Sequence, residues 1–230
     1  MPARRIIKQA FLRTIPVMMG YLVLGIAFGL LLQRAGYHWL WALGISIFVF
    51  AGSMQFVLVG LLVQQEPLAT VAITTLLVNS RHLFYGLSFI ERFKAMGRRG
   101  RYMIFALTDE TYALLCSVGE AGSQEDRDDL FFWTALLDQS YWVAGSVIGA
   151  LLGSFIRFNV AGIEFAMTAL FTVIVVEQWL TSNRHASAII GLLCGISSLV
   201  LLGPQRFLLP ALLVSVAILL ITRGISGGRT

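Results

Sequence analysis

Charged residues are scarce in this chain. They make up 13% of its 230 residues, whereas apolar residues make up 57%, so there are too few polar side chains to cover a water-soluble domain. The two cysteines, Cys116 and Cys194, lie within apolar runs and are typical of small packing residues rather than of a disulfide or a metal pair. These scarcities predict a membrane protein without redox or zinc chemistry.

Familiar catalytic motifs are missing as well. The sequence has no Walker lysine motif, no Gly-x-Ser-x-Gly and no His-Glu-x-x-His, which argues against an ATPase, a hydrolase and a zinc protease. We therefore expect no enzyme activity and no cofactor. The net charge of +5 comes from basic clusters beside apolar runs, and such clusters indicate membrane topology and lipid contact rather than nucleic acid.

Apolar runs of membrane-spanning length recur along the whole chain and predict an all-α polytopic membrane protein of seven or eight helices. The predicted segments are Ile15–Leu32, Trp41–Val63, Leu68–Phe89, Tyr102–Val118, Leu130–Leu152, Val160–Leu180 and Ala186–Leu202, with a further helix over 207–221. No stretch is left for a soluble domain, so residues 1–230 are expected to form one transmembrane domain.

Glycines recur at four-residue spacing in two of the segments. Gly25 and Gly29 resemble Gly145, Gly149 and Gly153, which leaves open a 3+3 internal repeat with halves 15–89 and 130–202 joined by 90–129. The alternative is close helix packing through small residues.

Charge placement predicts a topology. The positive-inside rule puts the N-terminus and the basic stretch Arg92–Arg101 in the cytoplasm, and the acidic stretch Glu120–Asp129 on the other side. Three apolar segments separate the two basic clusters, although an even number of crossings is needed. We therefore expect one of the three to be re-entrant or broken. The candidate breaks are Ala51–Gln55 and Asn79–His82. Since each lies near the middle of its own apolar segment, at least two helices are predicted to be interrupted.

Ionisable groups inside apolar segments are costly and mark candidate sites. Arg81 has the planar fork that suits a carboxylate, either of a substrate or of an internal acid. His82 is a candidate proton carrier, or a neutral imidazole bonded to backbone. Of the adjacent acids Asp109 and Glu110, Asp109 is expected to be the buried one. Asp138 is expected to be interfacial, and the tryptophans, Trp142 included, are expected to form an aromatic belt.

The candidate residues form two overlapping sets. The predicted substrate-binding set is Gly52, Ser53, Gln55, Asn79, Arg81, His82, Tyr85 and Asp109. The predicted ion- or proton-coupling set is His82, Asp109 and Glu110, and no metal site is expected.

Three stretches together resemble the signatures of the AzlC/YgaZ family. They are Phe50–Phe56 (FAGSMQF), Asn79–Gly86 (NSRHLFYG) and Leu107–Glu110 (LTDE), and the likeness continues through Leu137–Trp142 and Phe165–Phe171. The resemblance implies a large subunit of a bacterial branched-chain amino acid exporter. It further implies export of valine, leucine and isoleucine, with methionine as a further candidate, across the inner membrane with a small hydrophobic AzlD/YgaH-like partner.

Rival functions remain open from the residues alone. A channel would need rings of like charge or repeated carbonyls, which are not evident. A membrane-embedded enzyme and a non-transporting membrane subunit are the second and third rivals. The polar residues in broken apolar segments favour a solute pathway.

Overall fold

The computed structural model describes residues 3–118, 123–155, 172, 175–176, 179–180, 185–203 and 207–226. In this part of the chain all regular secondary structure is helical. The side chains of residues 81, 83, 84, 208, 209, 220 and 222–226 lie outside this description. The sixth predicted segment, Val160–Leu180, falls largely outside it too. The helices are α1 (Ala3–Arg34), α2 (Trp39–Phe48), α3 (Gly52–Val63), α4 (Leu68–Leu87), α5 (Ile90–Ala95), α6 (Arg98–Phe105), α7 (Asp109–Cys116), α8 (Gln124–Phe155), α9 (Ala186–Leu202) and α10 (Leu208–Ser226).

The chain divides into two compact units. The first comprises Met1–Gln65 and Asn79–Ile163, and the second comprises Glu66–Val78 and Glu164–Thr230. In the second unit α9 packs on α10, and Gly203 ends α9 with a φ of 76° that favours glycine. Among the described residues, two helices are long and apolar enough to cross a membrane, Arg4–Arg34 and Gln124–Phe155, and both lie in the first unit.

Helices α1 and α8 form the centre of the first unit and run in the same direction. Ile6 and Ala10 pack on Leu130 near the two N-terminal ends, while Gly25 lies against Gly145 further along. The approach is so close that a Cβ atom built on Gly29 would lie 2.0 Å from the Ser146 carbonyl oxygen. The glycine pattern therefore packs these two helices together, which is the alternative to a repeat; the 3+3 repeat and its boundaries stay predictions.

The second apolar segment is broken, as predicted. Helix α2 ends at Phe48, and α3 begins at Gly52. Between them Phe50 has a φ of 36°, which is rare for a bulky side chain. The side chain of the N-cap residue Ala51 makes no hydrogen bond to the first amides of α3. Other groups must therefore accept hydrogen bonds from these amides.

Helices α2 and α3 together make a hairpin that enters the bundle and turns back. Helix α2 starts beside the end of α1, and it finishes where the Gln139 side chain donates to the Ile47 carbonyl at 3.1 Å. Helix α3 then follows the direction of α1, because Phe50 contacts Tyr21 and Phe56 contacts Phe28 seven residues later on α1. We call this element the first hairpin.

The fourth apolar segment, predicted to be one span, is also broken. Helix α6 ends at Phe105 and α7 begins at Asp109. Thr108 caps α7 by accepting the Thr111 amide at 3.3 Å, and acids occupy the first turn, as is favoured at a helix start. The prediction that this segment is a single helix was therefore wrong.

Helices α6 and α7 make a second hairpin, which enters from the other end of the unit. At its start Arg99 pairs with Asp129 near the beginning of α8. Further in, the Tyr102 hydroxyl donates to the Gln139 side chain at 2.8 Å. The chain then returns, since Val118 packs against the Ile6, Ala10 and Leu130 cluster. The two hairpin tips meet where the rings of Phe50 and Phe105 lie 6.4 Å apart.

Two further predictions were wrong. Helix α4 runs without interruption from Leu68 to Leu87, so Asn79–His82 is not a break, because polar side chains alone do not end a helix that keeps its backbone bonds. The acidic stretch does not lie opposite the basic one. Arg92 pairs with Asp128 at 2.9 Å, and Arg99 pairs with Asp129, so opposite charges meet at the same end of the unit.

Candidate functional site

The two hairpin tips meet on side chains from the central pair α1 and α8. Tyr21 of α1 contacts Phe50 in the first hairpin, and its ring packs edge-on against Trp142 of α8 at 5.3 Å. A Cβ atom built on Gly52 would lie 3.3 Å from the Trp142 ring, so the absence of a side chain there lets α3 begin directly beside the indole. We call this region the tip site.

A chain of hydrogen bonds links two carboxyl groups through the tip site. The Tyr21 hydroxyl donates to Glu110 at 2.7 Å and lies 2.7 Å from the Thr108 hydroxyl. The Thr108 hydroxyl donates to the Thr111 hydroxyl at 3.1 Å, and that of Thr111 donates to Asp138 at 2.8 Å. Asp138 is fully buried, whereas Glu110 is exposed. The chain therefore connects the interior with the surface of the first unit.

Several buried polar atoms at the tip site have no hydrogen-bond partner among the described residues. They are one carboxylate oxygen of Asp138, the indole nitrogen of Trp142 and the side-chain oxygen of Gln55. Asp138 and Gln55 are fully buried, and Trp142 is 3% exposed. Unpaired buried polar groups are costly and are expected to serve a ligand, an ion or water. The tip site thus combines an acid, a donor and an acceptor with a helix start.

The predicted residues of the first hairpin lie at this site or beside it. Gly52 opens α3 against Trp142, Ser53 follows and is half-buried, and Gln55 donates across the hairpin to the Ser46 hydroxyl at 3.4 Å. The structure therefore brings three predicted residues to the place where the chain is broken. Their roles in binding stay predictions.

The predicted residues of α4 form a separate stripe. The His82 ring nitrogen lies 3.2 Å from the Asn79 carbonyl oxygen, the arrangement expected of an imidazole bonded to backbone. Tyr85 stacks on Tyr112 of α7 at 4.7 Å, which joins this stripe to the second hairpin. The side chain of Arg81 lies outside the described residues, so its contact with a carboxylate stays a prediction.

The two adjacent acids lie in the first turn of α7. Asp109 is half-buried and Glu110 is exposed, so Asp109 is the less exposed of the two, as expected. Glu110 nevertheless accepts the Tyr21 hydroxyl. Neither acid is fully buried, because the capped helix start leaves both near the turn. Among the described residues no cluster of His, Cys, Asp and Glu could hold a metal ion.

Sequence reasoning missed the buried acid. Asp138 was expected at an interface because the apolar run begins only a few residues before it, but α8 starts at Gln124 and is 32 residues long. Asp138 therefore lies near the middle of that helix. Trp142, expected in an aromatic belt, lies one turn further and is buried as well. The signal that could have found both is the polar first turn of α8, which lengthens the helix beyond its apolar part.

Comparison with known proteins assigns the family. The model of the family described as AzlC protein matches residues 16–156, which cover both hairpins, α8 and every residue of the tip site. The chain belongs to the AzlC family. No solved structure matches it at a significant level.

Named relatives of this AzlC-family chain are membrane proteins. The branched-chain amino acid transport protein AzlC of Bacillus subtilis is 38% identical over 94% of this chain and 85% of the relative. An uncharacterized membrane protein of Helicobacter pylori is 42% identical over 94% of both chains. The inner membrane protein YgaZ of Escherichia coli is 26% identical over 80% of this chain and 78% of the relative. The AzlC-family chain is therefore a transmembrane transport protein.

Proposed function

We propose that this chain exports branched-chain amino acids, namely valine, leucine and isoleucine with methionine as a further substrate, and that it works with a small hydrophobic AzlD/YgaH-like partner. The named Bacillus subtilis relative, a branched-chain amino acid transport protein at 38% identity, supports the substrate class. The membrane is the bacterial inner membrane, with the N-terminus in the cytoplasm, which accords with the basic residues of the first turns of α1.

The observation that carries the proposal is the meeting of two broken segments at a buried acid. Discontinuous segments that meet near the centre of a membrane protein are the usual setting of a transported solute. The start of α3, where the N-cap Ala51 makes no side-chain hydrogen bond, presents the positive end of a helix dipole, which suits a carboxylate. Asp138 offers a buried negative charge with one unpaired oxygen, which suits an ammonium group.

The aliphatic side chain of the amino acid also has a suitable place. The rings of Phe50 and Phe105 lie 6.4 Å apart at the two tips; Phe50 is 3% exposed and Phe105 is 41% exposed. Such an aromatic surface favours a branched aliphatic group over a polar one through burial of apolar area. Charged amino acids such as lysine or glutamate would leave an extra charge unpaired there.

The experiment is counterflow of labelled valine into proteoliposomes, with and without the small partner. Unlabelled leucine, isoleucine and methionine should compete, while lysine and glutamate should not. Isobutylamine lacks the carboxylate and isovalerate lacks the ammonium group, so neither should compete at concentrations where valine halves the signal. Each loses a charge-assisted contact, which lowers affinity by about tenfold or more.

The same assay distinguishes the rival functions. Flux that does not saturate and needs no trans substrate would indicate a channel and contradict the proposal. Strong competition by isovalerate or isobutylamine would contradict the two-charge site. No counterflow with the partner present would leave the chain a non-transporting subunit and would overturn the proposed function.

A further inference from the structure

The hydrogen-bonded chain from Glu110 to Asp138 has fewer hydroxyl protons than links. Its four links join the carboxyl of Glu110, the hydroxyls of Tyr21, Thr108 and Thr111, and the carboxyl of Asp138. Each hydroxyl supplies one proton, so three protons serve four links when both carboxyls are ionised. The two oxygen atoms of one link must then face each other without a proton between them. A fourth proton completes the chain.

With that fourth proton, two arrangements of the chain are equivalent in their number of bonds. In one, Glu110 is protonated and every hydroxyl donates toward Asp138. In the other, Asp138 is protonated and every hydroxyl donates toward Glu110. Passing from the first to the second moves one proton from the exposed acid to the buried one, because each hydroxyl accepts a proton on one side and releases its own on the other.

We propose that this chain of hydrogen bonds is a proton relay, which adds a proton to Asp138 and removes it again and so couples proton entry to amino-acid export. The inference rests on the proposed function and adds its driving ion. Buried acids inside membrane proteins commonly mark proton pathways. A protonated Asp138 has no charge with which to hold an ammonium group, so a proton and an amino acid occupy this carboxyl in turn. Exchange of one for the other is what drives export.

The charges around Asp138 fit a single shared proton. The titratable groups that act on it are Glu110 from α7, Tyr21 from α1, Tyr102 from α6 and Tyr141 from its own helix. All are acids or phenols, and none of the ion pairs among the described residues includes Asp138. Among the described residues, the network that joins these two carboxylates contains no cation, and two such carboxylates favour holding one proton between them.

Tyr21→Phe is the sharpest test, because it removes the hydroxyl that joins Thr108 to Glu110 and keeps the ring that packs on Trp142. Tyr141→Phe is the matched control, since that hydroxyl acts on Asp138 only from a distance, bonds Thr14 and makes none of the four hydrogen bonds of the relay. Two rates are measured in proteoliposomes, namely valine efflux driven by an acidic exterior and valine counterflow without a gradient. Their ratio does not depend on the amount of active protein.

We expect the ratio to fall about tenfold in Tyr21→Phe, the cost of losing hydrogen bonds to a charged group. In Tyr141→Phe it should stay within about twofold of the wild type, as expected for a hydroxyl outside the network. Thr111→Val removes the link to Asp138 and is expected to lower the ratio by the same factor. It tests the relay independently if Tyr21→Phe does not fold. An unchanged ratio in both relay variants would overturn the relay.

Two wild-type results separate this inference from the proposed function. Counterflow that is normal but indifferent to a pH gradient, or that responds to a sodium gradient instead, overturns the relay and leaves the export function standing. Absence of counterflow under every gradient overturns the export function and the relay with it. Stimulation of efflux by an acidic exterior, lost in Tyr21→Phe, supports both.

Discussion

Asp138→Asn should abolish valine counterflow while the protein remains folded. The substitution keeps the shape of a side chain that is fully buried and removes the charge proposed to hold the substrate ammonium group. Loss of one partner of a buried charge pair costs about 2–5 kcal/mol, so affinity should fall at least roughly thirtyfold. The measurement is counterflow of labelled valine at a concentration near the wild-type half-saturation point.

Glu91→Gln is the control for removal of a carboxylate. Glu91 is 90% exposed and pairs only loosely with Lys94 at 3.4 Å, so its loss should leave counterflow within about twofold, as expected of a surface pair. Thermal unfolding of both variants in detergent shows whether either has lost its fold. Counterflow by a folded Asp138→Asn protein at half the wild-type rate or more would contradict the role of this acid.

Gly29→Ala should lower the stability of the first unit, although alanine favours helices. A Cβ atom there would lie 2.0 Å from the Ser146 carbonyl oxygen and 2.6 Å from the Ala150 amide nitrogen. Both are backbone atoms, which cannot move without moving the helix. Helices α1 and α8 must therefore separate, at a cost of about 1–3 kcal/mol or more. The higher helix propensity of alanine returns only about 1 kcal/mol. The measurement is the unfolding midpoint in detergent.

Gly20→Ala provides the matched control in the same helix. Nothing lies within 4 Å of a Cβ atom at Gly20, so this variant should be as stable as the wild type or more stable by up to about 1 kcal/mol. Gly29→Ala is thus expected to lower the midpoint, whereas Gly20→Ala should leave it unchanged or raise it. A Gly29→Ala protein as stable as Gly20→Ala would contradict the close contact between α1 and α8.

The first hairpin shows what sequence can predict about this fold. Gly52 and Ser53 stand in an otherwise apolar run, and small flexible residues there indicated a break that the structure has just before Gly52. The two basic clusters supported the same break independently, because placing both in the cytoplasm requires an even number of crossings between them and three apolar segments separate them. Composition and segment length thus located one of the two interruptions that the described part of the chain contains.

The second hairpin was not predicted, although its signal is present. Thr108 followed by Asp109 and Glu110 is typical of a capped helix start, but the hydrophobicity on both sides suggested one continuous span. Conversely, Asn79 and His82 suggested a break where α4 is continuous. Polar residues mark a functional face as readily as an interruption, and single-sequence patterns do not distinguish the two.

The partners of charged residues depend on tertiary contacts that no local pattern contains. Arg92 pairs with Asp128 and lies 3.8 Å above the Phe131 ring, so a basic and an acidic stretch share one end of the unit instead of marking opposite sides. The relay likewise joins residues as far apart in sequence as Tyr21 and Glu110. Such networks follow from the packing of α1, α7 and α8.

The most direct test of a solute site at the hairpin tips is protection of a cysteine placed there. Ser53→Cys, in a protein in which Cys116 and Cys194 are replaced by serine, puts a thiol at the start of α3. Gly44→Cys, in α2 with open space around it, is the control. Valine should slow maleimide labelling at position 53 and not at position 44, whereas equal labelling of Ser53→Cys with and without saturating valine would contradict the site.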